Sequence, residues 1–331
     1  MEKENLIKQR NSSIELLRLI LMFVILLFHV IGHGSSILSE GLNAFQINGN
    51  INFTKLIFYS FLYFPVDCFV IISGYFGIKL KIKKIAELWF SMILVSIIIS
   101  IIFLYLKIEG FSLKSLLPLR YDIWWFMTNY FILCLLSPLL NYIDDFEIKY
   151  PKIFIIVLIL FDFIFHNALV NFIICYIIGK VLKRISLSRK EIIFMSFIAV
   201  IVHLALVILL AKRKSSHIFL VLSNFSPIII IQAILVFYFF NSLNFSSRII
   251  NYISSVSLYV YLITDHPYIR EKLISYISLD AQYFNLLKIL PFTIILFLSS
   301  LIFGGIIQIF LYFMSKTLNR LVFILNEKSI K

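Results

Sequence analysis

Apolar runs long enough to cross a bilayer recur from one end of this chain to the other, and that recurrence limits the folds open to it. Of 331 residues, 61% are hydrophobic and 14% charged. A soluble domain is about 45–50% apolar and ~25% charged. In water such a chain would expose large apolar patches, whereas lipid accepts them on every helix. Ten candidate spans are read, at residues 14–31, 57–78, 88–106, 123–140, 153–165, 169–181, 192–210, 219–240, 249–263 and 289–313. Those at 153–165, 169–181 and 249–263 are short for a ~30 Å hydrocarbon core. The first two form either a tight helical hairpin or one interrupted element. The expected fold is an all-α, polytopic membrane bundle of about ten helices, one domain over residues 1–331 with no appended soluble domain.

The net charge of +13 comes from 30 Lys and Arg against 17 Asp and Glu. The basic residues sit mostly between the apolar runs, so they orient the chain in a membrane and no nucleic-acid partner is expected. Alternate loops counted from the N-terminal segment hold about twice as many Lys and Arg as the others, which favours both termini in the cytoplasm. Glu15 and Arg18 intrude into the first run and no small-x-small pattern closes it, so it reads as a retained helix. Cys68, Cys134 and Cys175 lie inside apolar stretches without ligand spacing, so neither disulfide nor metal is expected. No Gly-rich phosphate loop of an ATPase is present.

Ionisable groups inside spans mark function by default, because lipid makes them costly. Glu15, Arg18, His29 and His33 share the first run. At 100° per residue, Arg18 and His29 lie about 20° apart in angle after three full turns, and about 16 Å apart along the axis. Glu15 and His33 stand three and four residues away and join the same face. One reading makes His29 a general base toward a hydroxyl and Arg18 a bidentate grip on a phosphorylated donor. The other makes His29 an interfacial histidine and Glu15 with Arg18 an intrahelical ion pair.

Four segments resemble the membrane-bound acyltransferase-3 family, in order and across residues ~11 to 313. "NSSIELLRLILMFVILLFHVIGHG" carries a basic residue, ten positions and a histidine, as Arg18 and His29. "FPVDCFVIISGYFGIK" carries Ser73, Gly74 and Tyr75. "WWFMTNYFILCLLSPLLN" carries Trp125, Ser137, Pro138 and Asn141. "ISSVSLYVYLITDHPYIRE" resembles the late motif but has Thr264 where the family's histidine stands, followed by Asp265, His266 and Pro267. The resemblance implies a bacterial cytoplasmic-membrane enzyme moving an acyl group, most simply acetyl, from acyl-CoA to a hydroxyl of a cell-surface or lipid-linked glycan, with no metal. It implies a catalytic set of His29, Arg18 and Glu15. Donor contacts are expected from Arg18, Ser73, Tyr75 and Trp125, and acceptor or supporting contacts from Asp67, His33, Asp265 and His266.

Each residue also has its own reading. Glu15 or Asp67 can fix the imidazole tautomer of His29, and Asp67 can pair with Arg18 across helices or sit in a polar bundle interior. Trp124, Trp125 and Tyr130 can stack on a sugar or an adenine, or belong to an aromatic belt. Asp162 and His166 read as a hairpin-turn interaction, and Arg120 and Arg270 as solvated or headgroup-facing. His203 and His217 read as structural. The rival from another class is a transporter or flippase for a lipid-linked saccharide, using Arg18, His29 and Asp67 as substrate or proton sites.

Overall fold

The computed structural model describes residues 10–107 and 121–328. The N-terminal Lys3 and Lys8, and Arg120, lie outside them. The fold is helical, with one two-stranded hairpin, Gln46–Ile47 against Asn50–Ile51. In chain order the helices are α1 (Ser12–Gly34), α2 (Ile37–Glu40), α3 (Phe53–Ser60), α4 (Pro65–Phe76), α5 (Ile82–Tyr105), α6 (Tyr121–Asn141), α7 (Pro151–Phe165), α8 (Ala168–Leu182), α9 (Arg189–Lys212), α10 (Ile218–Val221), α11 (Pro227–Asn241), α12 (Arg248–Ser255), α13 (Leu258–Thr264), α14 (Pro267–Gln282) and α15 (Leu286–Lys328).

Among the described residues, six helical segments are long and apolar enough to cross a membrane, with α8 and α11 as shorter apolar helices. The count of about ten is not confirmed, and local chemistry shows where several runs are divided. The run at 57–78 stays one of the six, over Phe53–Phe76, but is divided into α3 and α4 before Pro65, which cannot donate a backbone hydrogen bond to a continuing helix. The run at 219–240 becomes helical in earnest only at Pro227, after Ser226. The run at 249–263 splits between α12 and α13, where the Ser257 hydroxyl donates to the Ser254 carbonyl at 2.9 Å beside the Ser257 amide at 3.2 Å. Residues 153–165 and 169–181 are the hairpin of α7 and α8, turned by His166 in a left-handed conformation and Asn167 capping α8. Interrupted helices persist at membrane depth when side chains satisfy the released backbone groups in this way.

Helix α1 is the hub, packing on α4, α11, α12, α13, α14 and α15. Asn11 caps it, accepting from the Ser13 amide at 3.1 Å, and the Ser12 hydroxyl takes the Ser247 amide at 2.8 Å, pinning its start beside α12. Its first half, with Leu17 and Leu21, joins a core shared with α4, α8 and α11. Its second half, with Leu26 and Ile31, joins another built with α3, α5, α13 and α15. The face carrying Arg18 and His29 therefore runs across the junction of two packed cores.

Gly74 and Gly179 let α4 and α8 touch backbone to backbone. A Cβ at Gly74 would run into the Tyr176 carbonyl oxygen, and one at Gly179 into that of Ile71. Small residues serve membrane packing in this manner. The close of the third motif is also structural. Asn141 bonds the Ile78 carbonyl at 2.9 Å and receives the Tyr176 hydroxyl at 2.7 Å, tying α6 to the end of α4 and to α8. The three cysteines are buried and free.

Candidate functional site

A cavity of about 260 Å³ runs along α1. Arg18, Met22, Ile25 and His29 form one wall, stepping along the helix at the spacings that share a face. Phe69 and Ser73 of α4, Trp125, Phe126 and Tyr130 of α6, and Ser254, Ser257 and Tyr261 of the broken α12–α13 element complete it. The α12–α13 break falls among its lining residues.

At one end, Arg18 Nη1 lies 3.3 Å from Glu15 Oε1, and the other Glu15 oxygen accepts the Ser254 hydroxyl at 2.6 Å. Glu15 is nearly buried and Arg18 about one-third exposed. The carboxylate, held by two partners, anchors one guanidinium nitrogen of Arg18 at the cavity wall.

At the other end, His29 Nδ1 faces Asp265 Oδ1 at 3.6 Å. Asp265 follows the last turn of α13 and is buried, and Arg270 Nη1 of α14 lies 3.3 Å from the same oxygen. The His33 ring sits one turn beyond, 5.5 Å from the His29 ring. A second cavity, of about 20 Å³, is lined by His29, His33, Thr264 and Arg270 among others. His29 thus stands between a large cavity and a small one.

This geometry corrects the carboxylate expected to orient His29. Glu15 is committed to Arg18 and Ser254. Asp67 is fully buried on α4, where Asp162 and Asn171 are its polar neighbours. It pairs with neither Arg18 nor His29. Asn171 instead donates to Asp162 at 2.9 Å, so Asp162 bridges the α7–α8 hairpin while His166 lies exposed at its turn. Asp265 and His266, between α13 and α14, are buried at 2% and 1% exposure. His266 packs against Trp124 and lies 3.2 Å from the Ser96 hydroxyl.

Of the aromatic residues, Trp125 and Tyr130 line the large cavity, and Ser73 lies 3.4 Å from the Tyr130 hydroxyl. Tyr75 does not line it. Two residues from Ser73 on a helix is about 200° around, and its ring packs on Phe237. Trp124 is fully buried at a kink in α6. His203 is buried with Nε2 2.8 Å from the Ser60 hydroxyl, and His217 meets Ser215 at 3.0 Å. Thr264 spends its hydroxyl on the Val260 carbonyl at 2.7 Å.

The residue most underrated from sequence is Arg270, read as solvated yet seated on Asp265. Its signal was local: a basic residue five positions after an aspartate, across a proline that starts a helix. Phe126, Ser254, Ser257 and Tyr261 had no such signal, since aromatic and serine residues abound in this chain.

A family model described as an acyltransferase domain matches residues 11–316. No curated protein and no solved structure matches the chain.

Proposed function

The chain belongs to the acyltransferase-3 family, and from that premise we propose that it is a multi-pass membrane enzyme moving an acyl group, acetyl in the simplest case, from acyl-CoA to a hydroxyl of a cell-surface or lipid-linked glycan. One observation carries the reading: Arg18 and His29 stand on the same cavity, a cationic grip at one end and an imidazole at the other. The proposed setting is a bacterial cytoplasmic membrane with both termini on the cytoplasmic side, so that Arg18 meets a cytoplasmic donor and His29 a lipid-linked or exported acceptor.

The cavity volume supports a division of labour. About 260 Å³ lies below the ~300–1,000 Å³ of pockets that enclose a drug-sized ligand. It suits the acyl-bearing arm of the donor, with the phosphate-bearing end held at Arg18. A guanidinium presents a planar set of donors that pairs with phosphate oxygens two at a time. Trp125 and Tyr130 line the path of the arm.

At the far end, Nδ1 of His29 is turned to Asp265, leaving Nε2 as the nitrogen for the reaction. Nε2 takes the proton of the acceptor hydroxyl as its oxygen attacks the thioester carbonyl. The carbon–sulfur bond breaks, and the thiolate leaves with the proton that His29 returns. The imidazolium formed between these steps is stabilised by the Asp265 carboxylate, whose own charge Arg270 balances.

The test is transfer of label from acetyl-labelled acetyl-CoA into the glycan fraction of membranes that contain the chain, against membranes that lack it. Label in ester linkage to glycan, dependent on the chain, is the expected outcome. A transporter for a lipid-linked saccharide would move its cargo and leave the label on the donor; that result would sink the reading.

A further inference from the structure

We propose that His29, His33 and Asp265 form a binding site for a divalent first-row metal ion, zinc foremost, whose occupancy takes His29 out of transfer. The site stands on its own geometry; only the last clause rests on the function proposed above.

His29 and His33 are separated by four residues on α1, so their rings lie on one face a turn apart. Asp265 arrives from the end of α13. One donor atom from each residue can be chosen so that all lie within 4.8 Å of one another. Zinc binds imidazole nitrogen and carboxylate oxygen at about 2.0–2.2 Å in a tetrahedron, which sets donors roughly 3.3 Å apart. Binding would require side-chain rotation to close that difference. Two imidazoles and a carboxylate are a recognised set of three protein ligands, with the fourth position open to water or substrate.

Two further observations point to an occupant. The small cavity beside His29 and His33 measures about 20 Å³, above the ~10–15 Å³ that admits one water-sized species. His29 Nδ1 is buried and has no hydrogen-bond partner. A buried polar atom left unpaired is costly, and coordination would satisfy it.

Arg270 opposes the ion. Its Nη1 lies 3.3 Å from the Asp265 oxygen that also faces His29, and its side chain is 28% exposed. Metal and guanidinium therefore compete for one carboxylate. Ligands from helices far apart in sequence also explain why spacing along the chain did not reveal the site.

The experiment uses the full chain, purified without a histidine tag and reconstituted in nanodiscs, titrated with Co²⁺ and Zn²⁺. Binding is read by the visible absorption of Co²⁺ and by its displacement with Zn²⁺, neither of which depends on transfer activity. One ion per chain is expected, with affinity lowered at least tenfold in His33→Ala and raised severalfold in Arg270→Gln. A gain of affinity cannot arise from misfolding, so the second variant guards the first. Equal affinity in wild type and His33→Ala overturns the site, as does an affinity in Arg270→Gln that is unchanged or weaker. Failure of the acyl-transfer reading with metal binding intact would leave the metal site standing and remove only its effect on transfer, whereas failure of metal binding would leave the acyl-transfer reading untouched.

Discussion

His29→Ala is expected to slow acyl transfer by roughly 10²–10⁴-fold, the range that a positioned general base supplies. The loss should fall on the chemical step. Alanine removes the nitrogen proposed to accept the hydroxyl proton, and His33 is not placed to substitute: its ring lies 5.5 Å from that of His29 and it lines the small cavity instead of the large one. Donor affinity should persist, because the proposed cationic grip is at Arg18, about 16 Å away along the helix at ~1.5 Å per residue. Saturating single-turnover kinetics on protein matched for amount and folding will read this. An unchanged turnover would assign His29 the structural role that a histidine near a helix end also fits.

Asp265→Asn is expected to lower turnover by roughly 10–10²-fold at constant donor KM. The carboxylate faces His29 and, on the proposed mechanism, would stabilise the imidazolium as it forms; asparagine keeps the shape and removes the charge. The effect is smaller than full loss of the base for two reasons. Asp265 lies 3.6 Å from Nδ1, beyond a strong hydrogen bond in this state, and Arg270 already offsets part of its charge. Steady-state kinetics with donor varied will separate the outcomes: a merely structural residue would alter KM and thermal stability along with turnover.

How far the molecule could be read in advance depends on the range of each signal. The shared face of Arg18 and His29 was legible because 3.6-residue periodicity is local and α1 is unbroken from Ser12 to Gly34. The α7–α8 hairpin was foreseen as one of two options from the two short runs that flank it. The number of spans was not legible, since hydropathy reports how apolar a run is and is blind to where serines and prolines divide it, as at Ser257 and Pro227.

Long-range pairing failed for a related reason. Asp67 and Asp265 are both carboxylates close to polar motifs, and composition cannot say which will face His29. The break after α13 decides it by turning Asp265 inward, while Asp67 is carried to α7 and α8. Tyr75 shows the opposite error. Its place on the face of α4 away from Ser73 follows from helical spacing alone, and reading the motif as a block obscured it.

The central claim is that the donor is held at the Arg18 end of one cavity and the proton is taken at the His29 end. Its most direct test is a paired measurement of donor affinity and single-turnover transfer in Arg18→Ala and His29→Ala, with labelled acetyl-CoA and purified protein. The account predicts a split: Arg18→Ala weakens donor binding and retains transfer at saturation, whereas His29→Ala retains binding and loses transfer. Transfer by His29→Ala at the wild-type rate, or equal loss of affinity in both variants, would contradict it.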